Sequence, residues 1–154
     1  MSLIFFVCTP LCAQKSRLFT EYRLNPILAD SVENVILNSF KTSVFILDSI
    51  AMDKQRQIQG YTYEKKFLLN SIQNKDMIQY MLHPKTFIKS EYKVMTPFIP
   101  EVAVTFKKKK ECVTLLFALK SSTVQVFYNK TRQNDILIDN NHELMFIIKK
   151  LLTN

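Results

Sequence analysis

The sequence predicts an α+β domain. It reads as an antiparallel sheet of about five strands, a hairpin plus a three-stranded meander, with about three short helices packed on it. Three observations lead there. Residues 102–128 alternate as consecutive strands, two capping patterns each precede an apolar run at helical spacing, and no linker or repeat divides the chain.

The meander comes first because the rest of the chain is arranged around it. Val102, Val104 and Phe106 alternate with Ala103, Thr105 and Lys107, the period of a half-buried strand. The lysine run 107–110 and Glu111 mark a turn. Val113, Leu115, Phe117 and Leu119 then fill one face of a second strand. Its other face, Cys112, Thr114, Leu116 and Ala118, is also mostly apolar, so this strand is expected inside the sheet with cover on both sides. Ser121 and Ser122 supply a turn. Val124, Val126 and Tyr128 alternate with Thr123, Gln125 and Phe127, a mixed second face that suggests a strand nearer the edge.

Upstream, Asp30 and Glu33 form a capping-box pattern. Val32, Val35, Ile36 and Phe40 recur at helical spacing behind it, predicting a helix over about residues 31–40. Val44, Ile46 and Ile50 alternate with Phe45 and Leu47 in a strand that turns at Asp53 and Lys54. Ile58 to Tyr63 makes a weaker partner, with Gly60 read as a bulge within it. Met77, Ile78, Met81 and Leu82 give a short helix at about 75–82 that stops before His83 and Pro84. Residues 84–100 hold three prolines and no period, so they read as a connection. After a polar loop, a second capping pattern at residues 140–143 precedes Leu144, Ile147, Ile148 and Leu151 on one face of a last helix. Lys149 and Lys150 sit in its final turns, where cations suit the dipole.

Composition bounds the function. The chain has 154 residues and 47% hydrophobic content, enough for one domain with a substantial core. Its single glycine removes phosphate-cradling and dinucleotide-binding loops, which need several. Residues 1–13 carry no charged side chain. An apolar core at 3–8 is followed by Pro10 and Ala13 and then turns polar at Gln14 and Lys15. This resembles the end of a secretory signal peptide cleaved after Ala13, leaving 14–154 as the mature domain. The short core and the missing basic residue would follow from a start codon set too far downstream. Bulky Leu11 argues against a lipid anchor at Cys12, and the apolar run is too short to span a membrane. Export would remove Cys8 and Cys12 and leave Cys112 without an intramolecular partner. The expected location is therefore periplasmic or extracellular.

Charge is the strongest functional signal. The net charge is +8, and residues 85–132 contribute +7 through ten Lys or Arg against three acids. Such a field favours an anionic partner, whether a polysaccharide, an envelope surface or nucleic acid. The candidate binding residues are Lys107, Lys108, Lys109, Lys110, Lys120 and Lys130, with Tyr61 and Tyr63 as a stacking pair on the second strand. The plainer account of the lysines is a solvated turn and an edge strand guarded against aggregation. The plainer account of the tyrosines is cross-strand packing.

No catalytic constellation, metal spacing or cofactor motif is present in the sequence. His83 and His142 stand apart from each other and from any paired acid. Cys112 follows four lysines that could favour a thiolate, though a cysteine at the start of a central strand is usually a small buried hydrophobe. Asn129, Lys130 and Thr131 match a glycosylation sequon, meaningful only in a eukaryotic secretory route. The expectation is a small exported, non-enzymatic binding or accessory domain with a basic surface. The alternatives are a Cys112-dependent enzyme, or a cytosolic nucleic-acid-binding protein that keeps residues 1–13 in its fold.

Overall fold

The structure, a computed structural model, describes residues 26–48, 50–88, 97–133, 136–138 and 141–153. The signal-like segment 1–13, the lead-in 14–25, residues 89–96 of the connection and the cap at Asn140 lie outside the described residues.

Helices and an antiparallel sheet make up the domain, as expected, but the sheet is larger than five strands. Among the described residues it has nine, in the order β2-β3-β1-β5-β6-β7-β9-β4, with β8 beside β7. They are β1 (Lys41–Leu47), β2 (Gln57–Ile58), β3 (Tyr61–Leu68), β4 (Phe87–Ile88), β5 (Val102–Lys108), β6 (Glu111–Ala118), β7 (Thr123–Tyr128), β8 (Thr131–Arg132) and β9 (Ile136–Ile138). The sheet curls into a half-barrel. β1 joins the two expected strand groups by pairing with both β3 and β5. Sequence periodicity merged β2 with β3 and missed β4, β8 and β9, which are two or three residues long and too short to show a period. β7 is not near the edge: it lies between β6 and β9, and Gln125 on its mixed face is buried.

Among the described residues, the helices α1 (Pro26–Leu37), α2 (Ser71–Leu82) and α3 (Asn141–Thr153) cover one face of the sheet. Several bounds differ from expectation for local reasons. α1 starts at Pro26, which suits a helix's first turn because its missing N–H would be unpaired there anyway. Asp30 is thus inside the helix and not its cap. At the other end, Asn38 Nδ2 and Ser39 Oγ donate to the carbonyls of Asn34 and Ile36. The chain then leaves the helix, so Phe40 is 69% exposed and not part of an apolar face. β1 stops at Leu47 because Asp48 Oδ1 accepts from the Ile50 and Ala51 amides and turns the backbone. Ile50 and Met52 are consequently exposed. Gly60 is not a bulge: Gln59 at φ 50° and Gly60 at φ 85° form the two-residue turn between β2 and β3, where positive φ is required. The irregularity in pairing falls instead between Ile46 and Leu47, opposite Glu64. α2 begins at Ser71 under a reciprocal cap from Asn70 and Gln73.

The core follows from register. Val44, Val104, Leu115 and Val126 stand side by side across β1, β5, β6 and β7, and all are fully buried. Val32, Val35 and Ile36 of α1, Met77, Tyr80 and Met81 of α2, and Leu144, Ile148 and Leu151 of α3 pack on that row. Each such side chain contributes about 1.5–3 kcal/mol through burial. The opposite face holds a smaller cluster of Phe45, Leu47, Ala103 and Leu116, joined by Tyr61, Tyr63, Phe98 and Phe127. β6 is thus covered on both faces, as its sequence implied.

Two outcomes test this arrangement. Leu116→Ala destabilises the fold by about 2–5 kcal/mol in urea unfolding, whereas Ile50→Ser changes it by less than about 0.5 kcal/mol. Equal costs would restore Ile50 to the sheet. Burial, aided by the Glu143 carboxylate, pushes the Tyr80 phenol well above its usual 10. Its contribution is therefore complete below about pH 10 and lost as the pH rises further, because the unfolded chain releases the proton more readily. Tyr80→Phe should flatten the alkaline fall of the unfolding midpoint; an unchanged slope would contradict the burial.

Candidate anion-binding site

Antiparallel pairing carries basic residues distant in sequence to one end of the sheet. β5 and β6 are joined by a tight turn at Lys109 and Lys110, with Lys108 opposite Glu111. Lys109 takes φ 52°, a left-handed conformation uncommon outside glycine. β7 and β8 are joined by an equally tight turn at Asn129 and Lys130. Because β7 runs parallel to β5, the two turns project from the same end. The Asn129 side chain accepts from the Cys112 amide at 3.0 Å, and its backbone N–H donates to the Cys112 carbonyl at 2.7 Å, tying one turn to the other.

Just behind the turns, on the face turned away from the helices, Lys41 stands directly opposite Lys107 and Lys107 opposite Cys112. Arg132 lies opposite Phe127 on that same face. Like charges across a strand pair repel, at a cost of about 0.2–1 kcal/mol. The acids at this end, Glu111, Asp30 and Glu33, belong to the helix side. There the Tyr128 phenol hydrogen-bonds to Glu111 and Ser31, and Lys108 Nζ donates to Asn34 Oδ1. α1 therefore lies across this end of β7, β6 and β5, and Lys108 is engaged with it. Lys107, Lys109, Lys110 and Lys130 are exposed.

The other candidates do not join them. Lys120 sits in the turn between β6 and β7, at the far end of an eight-residue strand, about 26 Å away. Tyr61 and Tyr63 lie on the non-helical face near that far end. The Tyr63 ring meets Phe45 edge-on at 5.0 Å, which is packing geometry. Lys41 and Arg132 complete the basic end but were missed in sequence. Lys41 precedes a strand remote from the lysine run, and only the β1–β5 register makes it a neighbour of Lys107.

The remaining chemistry is sparse. Burial pushes the Cys112 thiol upward, outweighing a contact to Thr114 Oγ1 at 3.9 Å and the charge of Lys107. His83 and His142 belong to the helical side, across the sheet from Cys112. His83 Nδ1 accepts from the Lys85 amide at 3.1 Å. Among the described residues, no group of three or more His, Cys, Asp or Glu could hold a metal ion, and no helix is long and apolar enough to cross a membrane. A cleft of about 570 Å³ opens between α2 and α3, lined by Ile72, Tyr80, His83, Glu143, Phe146 and Lys150. Its lining carries two acids, Asp76 and Glu143, against Lys150, whose ammonium lies over the Phe146 ring at 4.5 Å.

No protein family matches the sequence, and no curated protein matches it. Among solved structures, the chain is similar to one described as "Crystal Structure of Putative Lipoprotein from Clostridium perfringens". The TM-score is 0.52 and the identity 11%, over 81% of this chain and 93% of that one. The likeness is one of fold.

Proposed function

We propose that the chain is a non-enzymatic, exported binding module that holds an anionic partner against the hairpin end of its sheet. The observation that carries this reading is Lys41 opposite Lys107 on β1 and β5, behind the exposed Lys109, Lys110 and Lys130. Lysines that guard a sheet against aggregation belong on edge strands, and these two strands are interior. A repulsive pair on interior strands is relieved when an anion sits between the ammonium groups. Export is supported by the signal-like residues 1–13 and by the likeness in fold to a protein described as a lipoprotein.

Heparin serves as the probe. Its affinity should fall steeply as salt rises, and Lys109→Glu with Lys110→Glu should weaken it at least about tenfold. Lys120→Glu at the other end should change it less than about twofold. Salt-independent binding, or equal sensitivity at Lys120, would overturn the assignment of the site. For export, the intact mass of the chain from its native host should correspond to a species beginning at Gln14 outside the cytoplasm. A full-length cytosolic species would remove that half of the proposal.

A further inference from the structure

Large apolar side chains are exposed at the same end of the sheet as the lysines. Phe40 is 69% exposed, Leu37 59% and Leu68 61%. Phe40 is fixed there by its amide, which donates to the Lys107 carbonyl at 3.0 Å. Leu37 ends α1, one turn beyond the Asn34 that holds Lys108. Leu68 pairs with Ser43, two residues along β1 from Lys41. None of the three side chains contributes to the fold in proportion to its size, and each lies within a few residues, in sequence or across a ladder, of a basic residue.

Resting on the anion-binding reading, we propose that the partner is an anionic lipid surface, met end-on, with Phe40 and Leu37 entering the boundary between headgroups and acyl chains. A bilayer interface is the anionic partner that rewards both features. Basic residues near it gain from the negative surface potential, and apolar side chains gain from leaving water. The long stems of Lys109, Lys110 and Lys130 let their ammonium groups stay among phosphates while the apolar residues go deeper. A single-stranded nucleic acid would call for several aromatic stacking surfaces, and Leu37 and Leu68 have none. Apolar exposure alone does not decide the matter. Ile50 and Met52 are still more exposed, but they stand at the opposite end, where Asp48, Asp53 and Glu101 offset Lys54, Arg56 and Lys120 and leave no net attraction for an anionic surface.

The chain contains no tryptophan, so Phe40→Trp places a single indole at the proposed contact. With vesicles of phosphatidylglycerol and phosphatidylcholine at about three to seven, its emission should shift to the blue and be quenched by brominated acyl chains. Pure phosphatidylcholine vesicles and heparin should produce neither change. Phe40→Ala should weaken binding to the anionic vesicles about tenfold while leaving heparin affinity within about twofold. Each lysine lost from Lys109 or Lys110 should weaken vesicle binding about fivefold. Heparin binding that depends on Lys109 and Lys110, without vesicle binding or with an unquenched indole, would overturn the lipid inference and leave the anion site standing. Binding to neither heparin nor vesicles would overturn both.

Discussion

The antiparallel pairing of β1 with β5 is the constraint on which the rest of the structure depends. Six consecutive residue pairs, from Lys41 with Lys107 to Ile46 with Val102, join an N-terminal strand group to the meander. Without that ladder, β3-β1 and β5-β6-β7 would be two small sheets, each with an exposed edge. With it, Val44 completes the buried row through Val104, Leu115 and Val126, and the helices gain a continuous apolar floor. A slip of one residue would turn Val44 to the face away from the helices and bring Ser43 into the core, which is why the register is strongly specified.

The same register places the charges. It leaves Lys41 no choice but to face Lys107 and fixes Phe40 beside the Lys107 carbonyl. Buried threonines on the face away from the helices show how the rest of that face is satisfied. Thr105 and Thr114 stand opposite each other, their hydroxyls 3.4 Å apart. Moving along β1 and β5 toward the hairpin end, the side chains on this face change from Phe45 and Ala103, through Ser43 and Thr105, to Lys41 and Lys107. The sheet thus grades from an apolar middle to a cationic end, while at the other end Asp48, Asp53 and Glu101 are matched by Lys54, Arg56 and Lys120. The proposed anion site rests on this gradient, since a positive field favours an anionic partner.

Much of this was legible in the residues, and what was not has identifiable causes. The meander was readable because β5 and β6 are long enough to show their period, and Leu115 and Leu116 announced burial on both faces. The last helix was readable because Leu144, Ile148 and Leu151 repeat on one face. Asp30 misled because a carboxylate followed by Glu33 looks like a cap, while Pro26 had already opened the helix. Ile50 misled because alternation continued past Asp48, whose side chain turns the backbone. The lysine run marks one hairpin, yet Lys120 and Lys130 are equivalent in sequence, each beside a turn. Strand direction sends Lys130 to the basic end and Lys120 away from it. Lys41 carried no local signal at all, since its significance is a property of long-range pairing.

The measurement that bears most directly on this account is backbone amide shift mapping by NMR during titration with a short sulfated oligosaccharide. The largest changes should cluster at Lys41, residues 107–112 and residues 129–132, from strands that meet only through the sheet. Changes concentrated at Lys120 and its turn, or along the cleft between α2 and α3, would contradict it.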